Sequence, residues 1–160
     1  NTADPVYNIF PNIKTGITLS SATGSKFHGT ATTAEYADLA EMYASDKAYE
    51  PGTVVMIGGT AEVTECANEQ CQEVFGVVST EPAYLMNSAM EGTGVAVALS
   101  GRVPCKVIGA VRKGQRLVVS STPGVAKASD TNDWKCIIGR ALEDKTTEEV
   151  DVIEVVVGVK

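Results

Sequence analysis

A chain of 160 residues with 44% hydrophobic content suits one compact domain with a core of useful size, and 13 basic against 20 acidic side chains leave a formal net charge of -7. That charge repels phosphate backbones and anionic lipid, so nucleic acid is not an expected partner. No apolar run approaches the roughly 18 residues of a membrane-spanning helix, the opening NTADPVYNIF lacks the layout of a secretion signal, and no membrane insertion is expected. Asn1 is not a start methionine, so the chain reads as a fragment or a mature form.

Residues 1–31 differ from the rest. NIKTGITLSSATGSKFHGTATTA is rich in Thr, Ser and Gly, with Ile13, Ile17, Leu19 and Phe27 among few apolar groups. So little apolar surface cannot build a monomeric core, yet the β-branched residues resist a helix. The segment is either a flexible linker or a fibre-like stem ordered by intertwining with copies of itself, and the Ile17–Leu19 alternation and spaced glycines favour the stem.

In residues 32–47, Thr32 and Glu35 fit a capping box, and Tyr36, Leu39, Ala40 and Tyr43 fall at i, i+3, i+4 and i+7, which predicts a short helix. An extended lead-in with Tyr36, Leu39 and Met42 at an interface is the other reading. Glu50-Pro51-Gly52 ends the segment.

From Thr53 onward eight strands are expected: TVVMI, AEVTEC, EVFGVVST, VAVALSG, RVPCKVIG, RLVVSS, CIIGRALE and VDVIEVVVG. Turns at Gly58-Gly59, Ala67-Asn68, Gly92 to Gly94, Lys113-Gly114, Pro123-Gly124 and Asn132-Asp133 have the spacing of a small β-barrel or sandwich. The fold class is therefore mainly β, preceded by the short helix and the stem. The last strand carries Val152, Ile153, Val155, Val156 and Val157 on both faces, so it should be central or pressed against another subunit.

Little of the chemistry-bearing inventory is grouped. Cys66 and Cys71 are separated by four residues rather than the two of a zinc knuckle, and His28 is the single histidine, so no metal site and no cofactor are expected. Cys105 and Cys136 read as small buried apolar residues, while Cys66 and Cys71 could bridge across a hairpin. With His28 in a Gly-flanked stem, a Ser-His-Asp arrangement has no base near a nucleophile. Asp38 and Glu41, three apart, would share one face of a helix and could act as acid and base. Arg102, Lys106, Arg112, Lys113 and Arg116 gather within fifteen residues, either as a local basic patch or, the favoured reading, solvated or paired with acids. Tyr84, Leu85, Met86 and Asn87 form a loop that is core cover or contact surface.

Seven segments taken together, ATTAEYADLAEMY, EPGTVVMIGG, VFGVVSTEPAYLMNS, VALSGRVPCKVIG, VRKGQRLVVSSTPGVAKA, IIGRALE and VIEVVVG, resemble in order and content the C-terminal domain of tailed-phage fibre and neck-appendage proteins, an autoproteolytic intramolecular-chaperone family. The resemblance covers residues 32–160 and implies a homotrimeric β-rich trimerisation and tip domain on a virion fibre or appendage, following a stem over residues 1–31. Aligning three thin strands is entropically costly, and a domain that trimerises first raises their effective concentration. In self-cleaving members an Asp-Tyr-Ala-Glu type motif carries the cleavage. The matching residues here are Asp38-Leu39-Ala40-Glu41, with leucine in place of tyrosine. Tyr84, Met86, Asn87 and Trp134 are the candidate contacts to a host receptor. A self-cleaving chaperone and a capsid or baseplate decoration module are the alternatives.

Overall fold

The structure, a computed structural model, describes residues 37–159. The stem, His28 and the Thr32–Glu35 capping box lie outside the described residues. The described residues form ten strands: β1 Asp38–Ala44, β2 Val54–Ile57, β3 Val63–Glu65, β4 Val74–Val78, β5 Tyr84–Met86, β6 Gly94–Ile108, β7 Arg116–Val119, β8 Ala126–Ser129, β9 Ile137–Ala141 and β10 Asp151–Val157. A 3-10 turn, Trp134–Cys136, precedes β9.

The expected helix gives way to β1 from Asp38 onward. Asp38 and Ala40 are buried while Leu39 between them is exposed, the period of a strand. All seven residues of β1 pair with β6, from Asp38 opposite Gly101 to Ala44 opposite Gly94, and the Tyr43 ring meets Phe75 edge-on at 5.0 Å. Helical spacing and a capping signal act locally and are worth a few tenths of a kcal/mol to about 1 kcal/mol each; a full antiparallel ladder with core packing outweighs them.

The 15-residue β6 is the hub. It unites two segments expected as separate strands. Its first half lies between β1 and β4, and the sheet continues to β5 beyond β1 and to β2 and β3 beyond β4. Its second half closes a five-stranded barrel with β8, β7, β9 and β10. Val103, Cys105, Val107, Leu117, Ile153 and Val155 belong to the barrel core, and Val55, Val63, Val78, Val95 and Val97 form a second cluster in the flanking sheet. Valine suits both places because a branched Cβ packs well on a pleated surface.

Pro104 sits inside β6 without breaking it. The Arg102 amide donates to Ala37 O at 3.2 Å and the Lys106 amide to Gly52 O at 2.9 Å, so even-numbered amides here point away from β10. Pro104 takes the even position between them, where the missing N–H costs β10 nothing.

β10 is flanked by β6 and β9, as its apolar run predicts. Ile153, Val155 and Val157 face the barrel interior, whereas Val152 on the outer side is 57% exposed. All four cysteines are buried free thiols, so Cys66 and Cys71 are not bridged. Instead Asn68 closes their loop, accepting the Cys71 amide at 2.9 Å and donating its own to Cys66 Sγ at 3.4 Å.

One buried cation fastens the approach to β10. Lys145 Nζ donates to the carbonyls of Gly109, Thr147 and Glu149 at 3.0, 2.6 and 2.7 Å. Substitution Lys145→Met strips these acceptors of their donor, and because Thr147 and Glu149 are exposed, water recovers part of the loss. The expected cost is about 2–3 kcal/mol in urea unfolding; a variant within 0.5 kcal/mol of wild type, the scatter of neutral surface changes, contradicts the fastening role.

Candidate functional site

β1 begins where the chain is held on both edges. Asp38 O accepts the Ala83 amide at 3.0 Å, and Ala37 O accepts that of Arg102. β5 runs parallel to β1 with Leu39 beside Tyr84, Ala40 beside Leu85 and Glu41 beside Met86. Successive side chains alternate between faces, so residues an odd number apart point to opposite sides.

Asp38 therefore turns one way with Ala40, and Glu41 the other way with Leu39 and Tyr43. The Tyr43 hydroxyl donates to Glu41 Oε2 at 2.7 Å. Burial, then the hydrogen bond to Glu41 and the charges of Glu41 and Glu62, push that hydroxyl up to about 12. The shared face that a helix would have given Asp38 and Glu41 does not exist.

The acids that share a cleft with Asp38 are instead Glu81 and Glu154, which lie far from it in sequence. The cleft, about 280 Å³, is lined by Asp38, Ser79, Glu81, Arg102, Pro104 and Glu154 among others. Asp38 is 5% exposed and Ser79 6%, and among the described residues neither Asp38 Oδ2 nor Ser79 Oγ has a hydrogen-bond partner. Arg102 Nε stands 3.9 Å from Glu154 Oε2. An acceptor buried without a donor is costly, so the cleft is suited to receive a hydrogen-bond donor. Ser79 and Glu81, just after β4, and Glu154, on β10, come from two separate stretches of chain, and no local motif announces them.

The receptor-contact candidates fall on two separate elements. Tyr84, 64% exposed, and half-buried Met86 belong to β5, a strand rather than the expected loop, and Tyr84 adjoins exposed Leu39 across the parallel pair. Asn87 follows at φ 53°, and its side-chain amide donates to Met42 O at 3.1 Å, anchoring the end of β5 to β1. Trp134, 61% exposed, stands in the 3-10 turn between β8 and β9.

No family model and no curated protein matches the chain. Among the solved structures that share its fold are two of a bacteriophage protein. The pre-mature bacteriophage phi29 gene product 12 aligns with a TM-score of 0.59 at 15% identity, over 84% of this chain and 23% of that one. The C-terminal fragment of bacteriophage phi29 gene product 12 aligns with a TM-score of 0.54 at 15% identity, over 77% of this chain and 100% of the fragment. The chain thus has the fold of that fragment and spans about a quarter of the pre-mature protein.

Proposed function

We propose that this chain is a viral structural protein, the C-terminal trimerisation and tip domain of a phage tail fibre or related appendage, carried on the virion. The observation that carries the reading is a fold shared with the whole C-terminal fragment of a phage protein, in a chain whose segment order independently resembles fibre and appendage C-terminal domains. Large apolar groups left on the surface of the single chain, Leu39 beside Tyr84 and Val152 on the outer side of β10, suit burial against further copies. Tyr84, Met86, Asn87 and Trp134 are the groups offered to a host-surface receptor. Neither nucleic acid nor a membrane interior is a partner in this reading. Light scattering on the full chain at micromolar concentration is expected to return three times the 16.7 kDa of one chain. A monodisperse monomer overturns the proposal.

Self-cleavage is the second reading, and the oxygen of buried Asp38 that has no partner among the described residues favours it. A chain extended upstream would then yield a fragment on standing, and Asp38→Ala would abolish it. An intact extended chain removes the reading and leaves the structural role untouched.

A further inference from the structure

We propose that Arg112, Lys113, Arg116 and Arg140 form a binding site for a compact tetrahedral oxyanion, a phosphate or sulfate group. The basic run apparent in the sequence does not stay together. Arg102 leaves it for the neighbourhood of Glu154, and Lys106 Nζ is taken up by Glu50 Oε2 at 3.0 Å and Thr53 Oγ1 at 3.2 Å. The other three are joined by Arg140 from β9, so three of the four arginines in the chain line one depression of about 270 Å³.

The barrel register builds this convergence. Arg116 on β7 is directly opposite Arg140 on β9, and both point outward because Leu117 and Ala141 beside them face the core. Like charges in this position oppose sheet pairing rather than support it. The turn that presents Arg112 and Lys113 is tied down through its backbone: Gln115 Oε1 accepts the Arg112 amide at 3.1 Å, and Asp144 Oδ1 accepts the Lys113 amide at 2.8 Å. Arg140 Nη1 donates to Gly114 O at 3.1 Å, which joins β9 to the same turn.

Among the described residues, what these cations lack is a carboxylate in ion-pair contact. The chain has more acids than bases, and Lys47, Arg102, Lys106, Lys127 and Lys145 each have a carboxylate within 4.0 Å. Among the described residues, no side-chain cation of the four does, although the Asp144 carboxylate is held on the Lys113 backbone amide and Asp130 stands on the lining. Arg116 Nε is buried without an acceptor among the described residues. Guanidinium forks match the oxygens of phosphate and sulfate two at a time, and three converging forks with an ammonium would neutralise the doubly charged form. The overall charge of -7 repels long polyanions, so a single oxyanion group or ester is the fitting ligand.

The test follows the side-chain Nε–H signals of all four arginines in the 15N-labelled full chain while inorganic phosphate replaces chloride at constant ionic strength. Saturable movement of Arg112, Arg116 and Arg140, with Arg102 still, is the expected result. Glycerol 2-phosphate forms the second arm. Equal or tighter saturation by the ester identifies an esterified group as the source, saturation by inorganic phosphate alone identifies the free anion, and both support the site. Arg140→Gln should weaken binding at least tenfold; if it does not fold, the exposed double substitution Arg112→Gln/Lys113→Gln serves instead. Unsaturable shifts, equal movement of Arg102, or undiminished binding in the variant overturn the proposal. All four residues belong to one chain, so a monomeric mass would leave this site standing.

Discussion

Replacing Gly101 with alanine is expected to cost the fold about 3–5 kcal/mol, read as a large fall in the urea midpoint without a change in slope. Gly101 has φ 109°, a conformation that residues with a Cβ rarely adopt, and a Cβ there would lie 2.2 Å from Ala37 O and 2.9 Å from Asp38 Cα. The neighbours that would have to move are backbone atoms, not the flexible end of a side chain. Residues 37 and 38 are themselves tied by hydrogen bonds to Arg102 and Ala83. Gly101 marks the point where β6 exchanges β1 for β10 as its partner, so relief by local movement would open one of two ladders. Gly114→Ala is the control: φ is 84° there, but nothing lies within 4 Å of the added carbon. That variant bears the backbone strain alone, about 1 kcal/mol. Equal losses in the two variants would show that β1 does not press on β6 as described.

Raising the pH from 9 to 12 is expected to remove about 3 kcal/mol of stability through Cys105 alone. Its side chain is fully buried in the barrel core, and burial pushes the thiol from its usual value near 9 to about 12, with Lys106 pulling weakly the other way. Because the folded value lies above the unfolded one, the stabilisation is complete below pH 9 and disappears as the pH rises toward 12. Denaturant unfolding at pH 8, 9.5 and 11 for wild type and Cys105→Val isolates the effect, since Tyr43 and Cys71, also pushed up to about 12, titrate in both. The variant should lose less stability over this range, by roughly 2–3 kcal/mol at pH 11. Parallel declines would sink the assignment.

What was legible beforehand follows the reach of each rule. Turn chemistry and two-residue alternation are local, and they located β2, β3, β4, β7, β9 and β10 within a few residues, together with the turns at Gly58-Gly59, Lys113-Gly114 and Pro123-Gly124. Cys105 and Cys136 are legible as small buried apolar residues, and both are buried free thiols. β5 and β8 are not legible in the sequence because three or four residues carry too little pattern, and each is a strand only because a neighbour pairs with it.

The chain by itself determined a β class, its turn positions and the residues that fill its core, because these depend on side-chain volume, branching and backbone freedom at each position. Only the tertiary structure decided which strands became neighbours. The β1–β6 ladder turned a helical spacing into a strand and set Asp38 and Glu41 on opposite faces. The β7–β9 register brought Arg140 to Arg116 across twenty-three intervening positions, while Arg102, nearer in sequence, was carried to Glu154. Strand pairing joins residues by register rather than by distance along the chain, so a site assembled across a barrel leaves no local signature.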